Sequence, residues 1–182
     1  MGTRSNLRVF EGRRPELGAR VYLDPAALVI GAVVVGDDAS LWPFSVARGD
    51  VNQIVIGARS NVQDNSVLHV THDGPYSQGG LPLVIGTDVT VGHQCVLHAC
   101  TVGDRVLLGM GSVVMDGAVI ESDVLLAAGS LVTPNKRLQS GFLYQGRPAA
   151  RVRALTESEL EQLRYSAQHY LRLKDRHLAG AP

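Results

Sequence analysis

Aliphatic residues recur at every sixth position along most of this 182-residue chain. This period predicts an all-β solenoid, a left-handed parallel β-helix of hexapeptide repeats with a C-terminal α-helix. Each repeat forms one face of a triangular coil, and three repeats complete a turn. The residue four positions further on is usually short, because it turns inward at a tight corner. The aliphatic positions are Leu23, Val29, Val35, Leu41, Ala47, Ile56, Val62, Leu68, Ile85, Val91, Leu97, Val102, Leu108, Val114, Ile120, Leu126 and Val132.

The composition agrees with a repeat solenoid and argues against several functional classes. Twenty glycines suit the corners of coils, whereas three Phe and one Trp are few for an ordinary globular core. Lys and Arg together number 17, as do Asp and Glu, so nucleic-acid binding gains no electrostatic support. The chain has no apolar run long enough to span a membrane, and its start has no signal-peptide core. We therefore expect a cytoplasmic protein with neither membrane nor nucleic-acid partners.

The repeat pattern divides the chain into three parts. We expect an N-terminal lead-in over 1–20, the β-helix over 21–135, and a connector with a C-terminal helix over 136–182. A Gly- and Pro-containing segment at about 72–83 interrupts the register and predicts a loop outside the coil. The period is lost after Pro134, where the prediction ends the coil.

The predicted C-terminal helix has a clear start signal. Thr156 and Glu159 form the two ends of a capping box, with Thr at the N-cap and Glu three residues later. Apolar residues then follow at helical spacing, which predicts a helix from about 157 to 176. These residues are Leu160, Leu163, Ala167, Tyr170 and Leu171.

The phase of the repeats places the histidines. Residues three repeats apart lie on the same face, one coil apart, at about 4.7–4.9 Å. By this rule Arg48, His69 and His98 form one outward-facing column. Asp64 and His93 form a second column on a different face.

Two stacked histidines are suited to binding one metal ion. Zinc–nitrogen bonds of about 2.0–2.1 Å require ligand nitrogens only a few ångströms apart, which His69 and His98 can provide. His93 lies on another face, so it can complete the site only from a neighbouring chain. A head-to-tail contact of this kind closes into a ring of three copies. We therefore predict a homotrimer with an intersubunit three-histidine zinc site whose fourth position is open, as in catalytic sites.

Four further side chains are candidates for roles beside the metal. Gln63 and Asp64 would orient a bound water or accept its proton. Arg48 would form an ion pair across the interface with Asp50 or the opposing Asp64. For Arg48 and Asp50, a direct role and a purely structural ion pair both remain open.

Several segments resemble the gamma-class carbonic anhydrase family, in its short-loop bacterial branch. They are ARGDVN, IGARSNVQDNSVLH, VIGTDVTVGHQCVLHACTVGDRVLLGMGSVVMDGAVI and GRPAARVRALT. The resemblance implies a left-handed β-helix trimer with zinc, iron or cobalt at each subunit interface, and reversible hydration of carbon dioxide to bicarbonate. The positions that match the family's metal ligands are His69, His93 and His98. The other matched positions are Gln63 and Asp64 beside the metal-bound water, and Arg48 and Asp50 as the interface pair.

The sequence also departs from the founding members of that family. Their acidic loop carries a glutamate that shuttles protons, whereas the loop here, HDGPYSQGGLP, contains no Glu. Val51 stands where those members have another glutamate. We therefore expect slow turnover, with His72 as a further candidate for proton transfer.

Three alternatives to a carbonic anhydrase remain open. The first is a hexapeptide-repeat acyltransferase, in which one histidine acts as general base. A single base does not require His69 stacked on His98, and the sequence shows no obvious Lys/Arg cluster for the phosphates of coenzyme A. The second is a thioesterase-like hydrolase that acts on coenzyme A thioesters. The third is a trimeric metal-binding scaffold of low activity.

Overall fold

The computed structural model describes residues 6–180 and confirms a parallel β-solenoid followed by one helix. Most strands are two or three residues long, because each face of a coil is short. In chain order the strands are β1 Leu7–Arg8, β2 Glu16–Leu17, β3 Tyr22–Leu23, β4 Leu28–Val35, β5 Ser40–Leu41, β6 Val46–Ile56, β7 Asn61–Val62, β8 Val67–His69, β9 Leu83–Ile85, β10 Thr90–Val91, β11 Val96–His98, β12 Thr101–Val102, β13 Leu107–Leu108, β14 Val113–Val114, β15 Val119–Ile120, β16 Leu125–Leu126, β17 Leu131–Val132, β18 Arg137–Leu138, β19 Phe142–Gly146 and β20 Ala149–Ala154; the helix α1 is Glu157–Ala179.

Strands from successive coils pair in parallel, as the repeat phase predicts. One sheet has the order β17-β14-β11-β8-β6-β9-β12-β15-β18, and β4 pairs with β6. The other sheet has the order β20-β19-β16-β13-β10-β7-β5-β3. The long strand β6 pairs with β8 near its start and with β9 near its end, so it joins two faces of the solenoid.

The core is a stack of aliphatic side chains with small polar groups at the corners. Leu68 and Leu97 are fully buried and lie in register on adjacent coils. At a corner beside them, the buried Ser66 hydroxyl donates to the carbonyl of Gly92 at 3.0 Å. Cys95 and Cys100 are buried free thiols, and burial raises the pKa of Cys95 to about 11. The short corner residues therefore satisfy polar backbone groups inside the stack.

The coil continues beyond the point where the sequence analysis ends it. Leu138 pairs with Ile120 in β15, and Tyr144 pairs with Leu126 in β16. Both side chains are buried and keep the six-residue spacing from Val132. Glycine, arginine and proline around them break up the apolar pattern, so the sequence alone does not predict these two strands.

The start of the described chain also joins the sheet. β1 and β2 both pair in parallel with β4, so residues of the expected lead-in add to the first coil. Before them, residues 1–5 lie outside the described part of the chain.

The C-terminal helix begins as predicted and ends slightly later. The Thr156 side chain accepts from the backbone of Glu159, and the Glu159 side chain accepts from the backbone of Thr156, so both halves of the capping box are present. The helix packs on β3, β5, β7 and β10, and its buried residues are Leu163, Ala167 and Lys174. Among residues 6–180, no helix combines the length and apolarity that a membrane span requires.

Candidate metal centre

His69 and His98 end two adjacent strands and lie side by side. β8 and β11 pair in register, with His69 directly opposite His98. The distance between His69 Nδ1 and His98 Nε2 is 3.1 Å. Two nitrogens bound to a tetrahedral zinc ion at about 2.0–2.1 Å would lie roughly 3.3 Å apart. The pair therefore already has nearly the separation that a shared metal ion requires.

Each of the two histidines has a carboxylate on its other ring nitrogen. His69 Nε2 lies 3.1 Å from Asp50 Oδ1, and His98 Nδ1 lies 2.6 Å from Asp116 Oδ1. Metal-binding histidines commonly donate their second N–H to a carboxylate, which fixes the tautomer and the ring orientation. In this arrangement His69 Nδ1 and His98 Nε2 are the nitrogens left for a metal.

Asp116 is the site residue that the sequence analysis did not identify. Val114 pairs with Leu97 in the adjacent coil. Asp116 comes two residues after Val114 and His98 one residue after Leu97, so the two side chains can meet. The Thr71 hydroxyl donates to its other carboxylate oxygen. Burial acts to raise the pKa of Asp116, but hydrogen bonds from Thr71 and His98 outweigh it and lower the pKa. The signal that could have found it is its place two residues after an aliphatic position in the histidine column.

His93 lies at a corner, stacked on Asp64 as the repeat phase predicts. His93 Nδ1 is 2.8 Å from Asp64 Oδ2. The next residues, Asn65 and Gln94, both have φ of 59°, and the Gln94 N–H donates to the Asp64 carbonyl at 2.9 Å. Within residues 6–180, His93 Nε2 has no hydrogen-bond partner. A third imidazole nitrogen is therefore available, although it belongs to a different column from His69 and His98.

Gln63 directly follows β7, one of the strands on which the C-terminal helix packs. Its side chain is only 5% exposed, and its amide nitrogen donates to Asn61 Oδ1 at 3.1 Å. Its Oε1 accepts no hydrogen bond from the described residues. The amide is thus fixed in one orientation and keeps an acceptor available.

Arg48 forms its ion pair within its own strand. Arg48 Nη1 lies 2.5 Å from Asp50 Oδ2 of the same chain, and the ion pair across an interface stays a prediction. Burial acts to raise the pKa of Asp50, but hydrogen bonds from Arg48 and His69 outweigh it and lower the pKa. Burial lowers the pKa of His69, which favours the neutral imidazole that binds metal.

The described part of one chain does not bring three metal-binding side chains together. Over residues 6–180, no group of three or more His, Cys, Asp or Glu side chains has the geometry to hold a metal ion. The His69 and His98 pair faces outward from one side of the coil, and His93 occupies a corner. This separation is the one that the sequence analysis deduced from the repeat phase.

The loop after His69 forms the wall of a cavity beside this centre. The cavity has a volume of about 370 Å³, and its lining includes Thr71, His72, Tyr76 and Asp116. Thr71 and Leu81 form a β-bridge that closes the loop onto the coil. The cavity therefore extends from Asp116, which contacts His98, to the exposed His72.

Comparisons with known proteins identify the family. No family model matches the sequence. The protein YrdA of Escherichia coli is 52% identical over 94% of both chains. The carbonic anhydrase of Geobacillus kaustophilus is 39% identical over 89% of this chain and 85% of its own. The mitochondrial gamma carbonic anhydrase 2 of Arabidopsis thaliana is 42% identical over 96% of this chain and 62% of its own.

The chain belongs to the gamma-class carbonic anhydrase family. A solved structure of a hexapeptide transferase family protein from Anaplasma phagocytophilum is also similar, with 43% identity and a TM-score of 0.87. The match covers 95% of this chain and 98% of the other. The gamma-class fold is thus shared with proteins named as transferases, so the fold alone does not decide between the two chemistries.

Proposed function

We propose that this protein is a zinc-dependent gamma-type carbonic anhydrase that hydrates carbon dioxide reversibly at the interfaces of a homotrimer. The observation that supports this most strongly is the pair of nitrogens 3.1 Å apart on His69 and His98. Asp50 and Asp116 hold the outer nitrogens of these rings, as expected for metal ligands. A general base in an acyltransferase would need only one of these imidazoles.

The donor set fits a divalent transition metal. Neutral imidazole nitrogens suit zinc, and they also suit iron or cobalt. His69, His98 and His93 of an adjacent chain would hold the ion and leave one position open. When bound, such an ion supplies the Lewis acidity that makes water a nucleophile near neutral pH.

The surface around the histidine pair supports burial against a second copy of the chain. Val67 and Val96, on the same strands as the histidines, are 40% and 37% exposed. Covering outward-facing apolar side chains with another chain removes them from water, which stabilises the association of the two chains. A neighbouring chain that covers this surface could bring its His93 and Asp64 to the histidine pair.

The polar residues then have separate roles in the proposed reaction. Asp64 would accept a proton from the attacking water, and the free Oε1 of Gln63 would orient that water. Arg48 would attract the bicarbonate anion and keep the Asp50 carboxylate ionised beside His69. Carbon dioxide itself is apolar, so it requires space beside the open position rather than a charged binding group.

Metal analysis combined with an activity assay tests this proposal. We expect about one metal equivalent per chain, and carbon dioxide hydration that a chelator abolishes and zinc restores. His98→Ala should lose most of the metal, because two protein ligands are too few to retain it. Full metal content in that variant would contradict the assignment.

The same preparation separates the alternatives. Acyl transfer to an acceptor without carbon dioxide hydration would favour a transferase, as in the name of the Anaplasma relative. Hydrolysis of a coenzyme A thioester without carbon dioxide hydration would favour the thioesterase-like alternative. Bound metal without any of these activities would indicate a scaffold.

A further inference from the structure

A groove rich in arginine lies between the C-terminal helix and a corner of the solenoid. Its volume is about 450 Å³. It shares no lining residue with the metal centre or with the cavity beside it. The lining residues are Arg59, Asp88 and Arg105 from the solenoid, and Arg164, Gln168, Leu171 and Arg172 from the helix.

The two solenoid arginines are already held in place but keep free donors. Arg59 binds both oxygens of Asp88 through Nε and Nη2, at 2.7 and 2.8 Å. Arg105 binds both oxygens of Asp123 in the same way, at 2.8 and 2.8 Å. In each case Nη1 makes no hydrogen bond to the described residues. These fixed guanidinium groups can therefore donate to a ligand without losing their own ion pairs.

The two helix arginines form no close ion pair in the described part of the chain, although the charge of Arg164 helps to lower the pKa of Asp123. Neither Arg164 nor Arg172 takes part in an ion pair or a side-chain hydrogen bond with residues 6–180. Arg172 lies over the ring of Tyr165, at 5.6 Å from its centroid. Four guanidinium groups thus line one groove, and two carboxylates bind two of them.

The same helix also contacts the solenoid at a second place, and the balance of charges there can be compared with that in the groove. There Arg20 and Lys174 face Asp38 and Asp175. The charge of Asp37 also acts on Arg20, so cations do not outnumber anions there, and the Lys174 side chain is completely buried. The helix thus closes over the corner where carboxylates match or outnumber the cations, and it leaves an open groove where four arginines exceed the carboxylates that bind them by two.

We propose that this groove binds a small molecule that carries a phosphate dianion. The arginines exceed the carboxylates bound to them by two, which matches the two negative charges of a phosphate dianion, and arginine presents donors in a geometry that suits phosphate oxygens. Gln168 adds an amide donor, and Leu171 offers an apolar surface for an organic portion of the ligand. The site is separate from the metal centre and goes beyond the proposed carbonic anhydrase activity.

The sequence does not reveal this site, because its arginines are far apart in the chain. No obvious Lys/Arg cluster suited to phosphates is visible along the sequence. Arg59 and Arg105 come together through coil stacking, and docking of α1 adds Arg164 and Arg172. The structure corrects that finding, since a cluster of arginines exists only after folding.

Calorimetric titration with inorganic phosphate tests the proposal. We expect saturable binding to the full-length protein and an affinity roughly tenfold or more lower in each of Arg164→Gln and Arg172→Gln, because each removes charged hydrogen bonds. Arg176→Gln is the matched control, since it removes the same charge from the same helix outside the groove. Its affinity should equal that of the unaltered protein.

Glucose 6-phosphate is the second probe, and it separates an organic phosphate from the free ion. Tighter binding than inorganic phosphate would show that the groove accommodates an organic portion, whereas weaker binding would restrict the site to the free ion and overturn that part of the proposal. Circular dichroism and size-exclusion chromatography confirm that each variant is folded and assembled.

The double variant Arg164→Gln/Arg172→Gln distinguishes this site from a phosphate bound at the metal. The double variant keeps His69, His93 and His98, so phosphate bound at the metal would persist in it. Binding that survives in this variant, or no saturable binding by the unaltered protein, would overturn the proposal. Neither result would affect the proposed carbonic anhydrase activity, which is measured by metal content and carbon dioxide hydration.

Discussion

Asp116 lies 2.6 Å from the Nδ1 atom of His98 and holds that imidazole from the side opposite to His69. Thr71 in turn donates to Asp116. The chain thus places a carboxylate behind the imidazole that we propose as a metal ligand. A carboxylate in this location strengthens the ligand and fixes its tautomer.

Asp116→Asn should weaken metal binding without unfolding the protein. We expect metal affinity to fall by about 10–100-fold, the usual effect of removing such a group, and Thr71→Ala to have a smaller effect. Competition against a chromophoric chelator measures the affinity independently of turnover. Asp73→Asn is the control, since its side chain accepts only from the Gly79 N–H and asparagine can do the same. Unchanged affinity in Asp116→Asn would show that His98 does not depend on it.

Two inactive variants should restore each other's activity if the site lies between chains. His69→Ala and His93→Ala each remove one ligand, but mixed trimers contain interfaces that unite an intact His69 surface with an intact His93. Random assembly of a one-to-one mixture should restore metal and activity to about a quarter of sites. Co-refolding followed by metal analysis measures this fraction. No recovery in trimers shown to be mixed would place the site within one chain.

Proton transfer out of the site should limit turnover. The loop over 72–83 contains no glutamate, and Val51 occupies the position beside Asp50. A small diffusible buffer such as imidazole should therefore raise kcat for carbon dioxide hydration about tenfold or more. Sodium sulfate at equal ionic strength is the control. If kcat is high and independent of buffer, His72→Ala becomes the variant to assay, because His72 lines the cavity that reaches Asp116.

Acid should remove the stabilising effect of the ion pairs beneath the C-terminal helix. Hydrogen bonds from Arg20, and also from Lys174, lower the pKa of Asp38 from 3.8 to about 2. A depressed pKa in the folded state stabilises the protein above the unfolded value, and this contribution is lost as the pH falls from about 4 to 2. We therefore expect Asp38→Asn to unfold more easily at pH 7, by about 1–3 kcal/mol, and to lose less stability between pH 4 and 2.

Urea unfolding at pH 7, 4 and 2.5 measures that difference. Asp73→Asn serves again as the control, since it removes an exposed carboxylate away from Lys174. Parallel pH curves for Asp38→Asn and the unaltered protein would show that Asp38 contributes no acid-sensitive stability.

The sequence alone was sufficient to predict the solenoid and the relative placement of the histidines. In a parallel β-helix, position along the chain determines both the face and the coil, because every repeat occupies one side of a turn. The pairing of His69 with His98 and the stacking of Asp64 on His93 therefore followed from counting residues. The capping box at Thr156 was equally local, so the start of α1 could be predicted.

Only the tertiary structure decided which polar groups contact one another. Asp116 reaches His98, and Arg48 pairs with Asp50, because side-chain directions within a column select one partner among several neighbours. Docking of α1 brings Arg164 and Arg172 to Arg59 and Arg105. The repeat period specifies the position of every backbone segment within the coil, but it carries no information about where a helix outside the repeat comes to lie. The arginine groove exists only because the helix docks beside that corner.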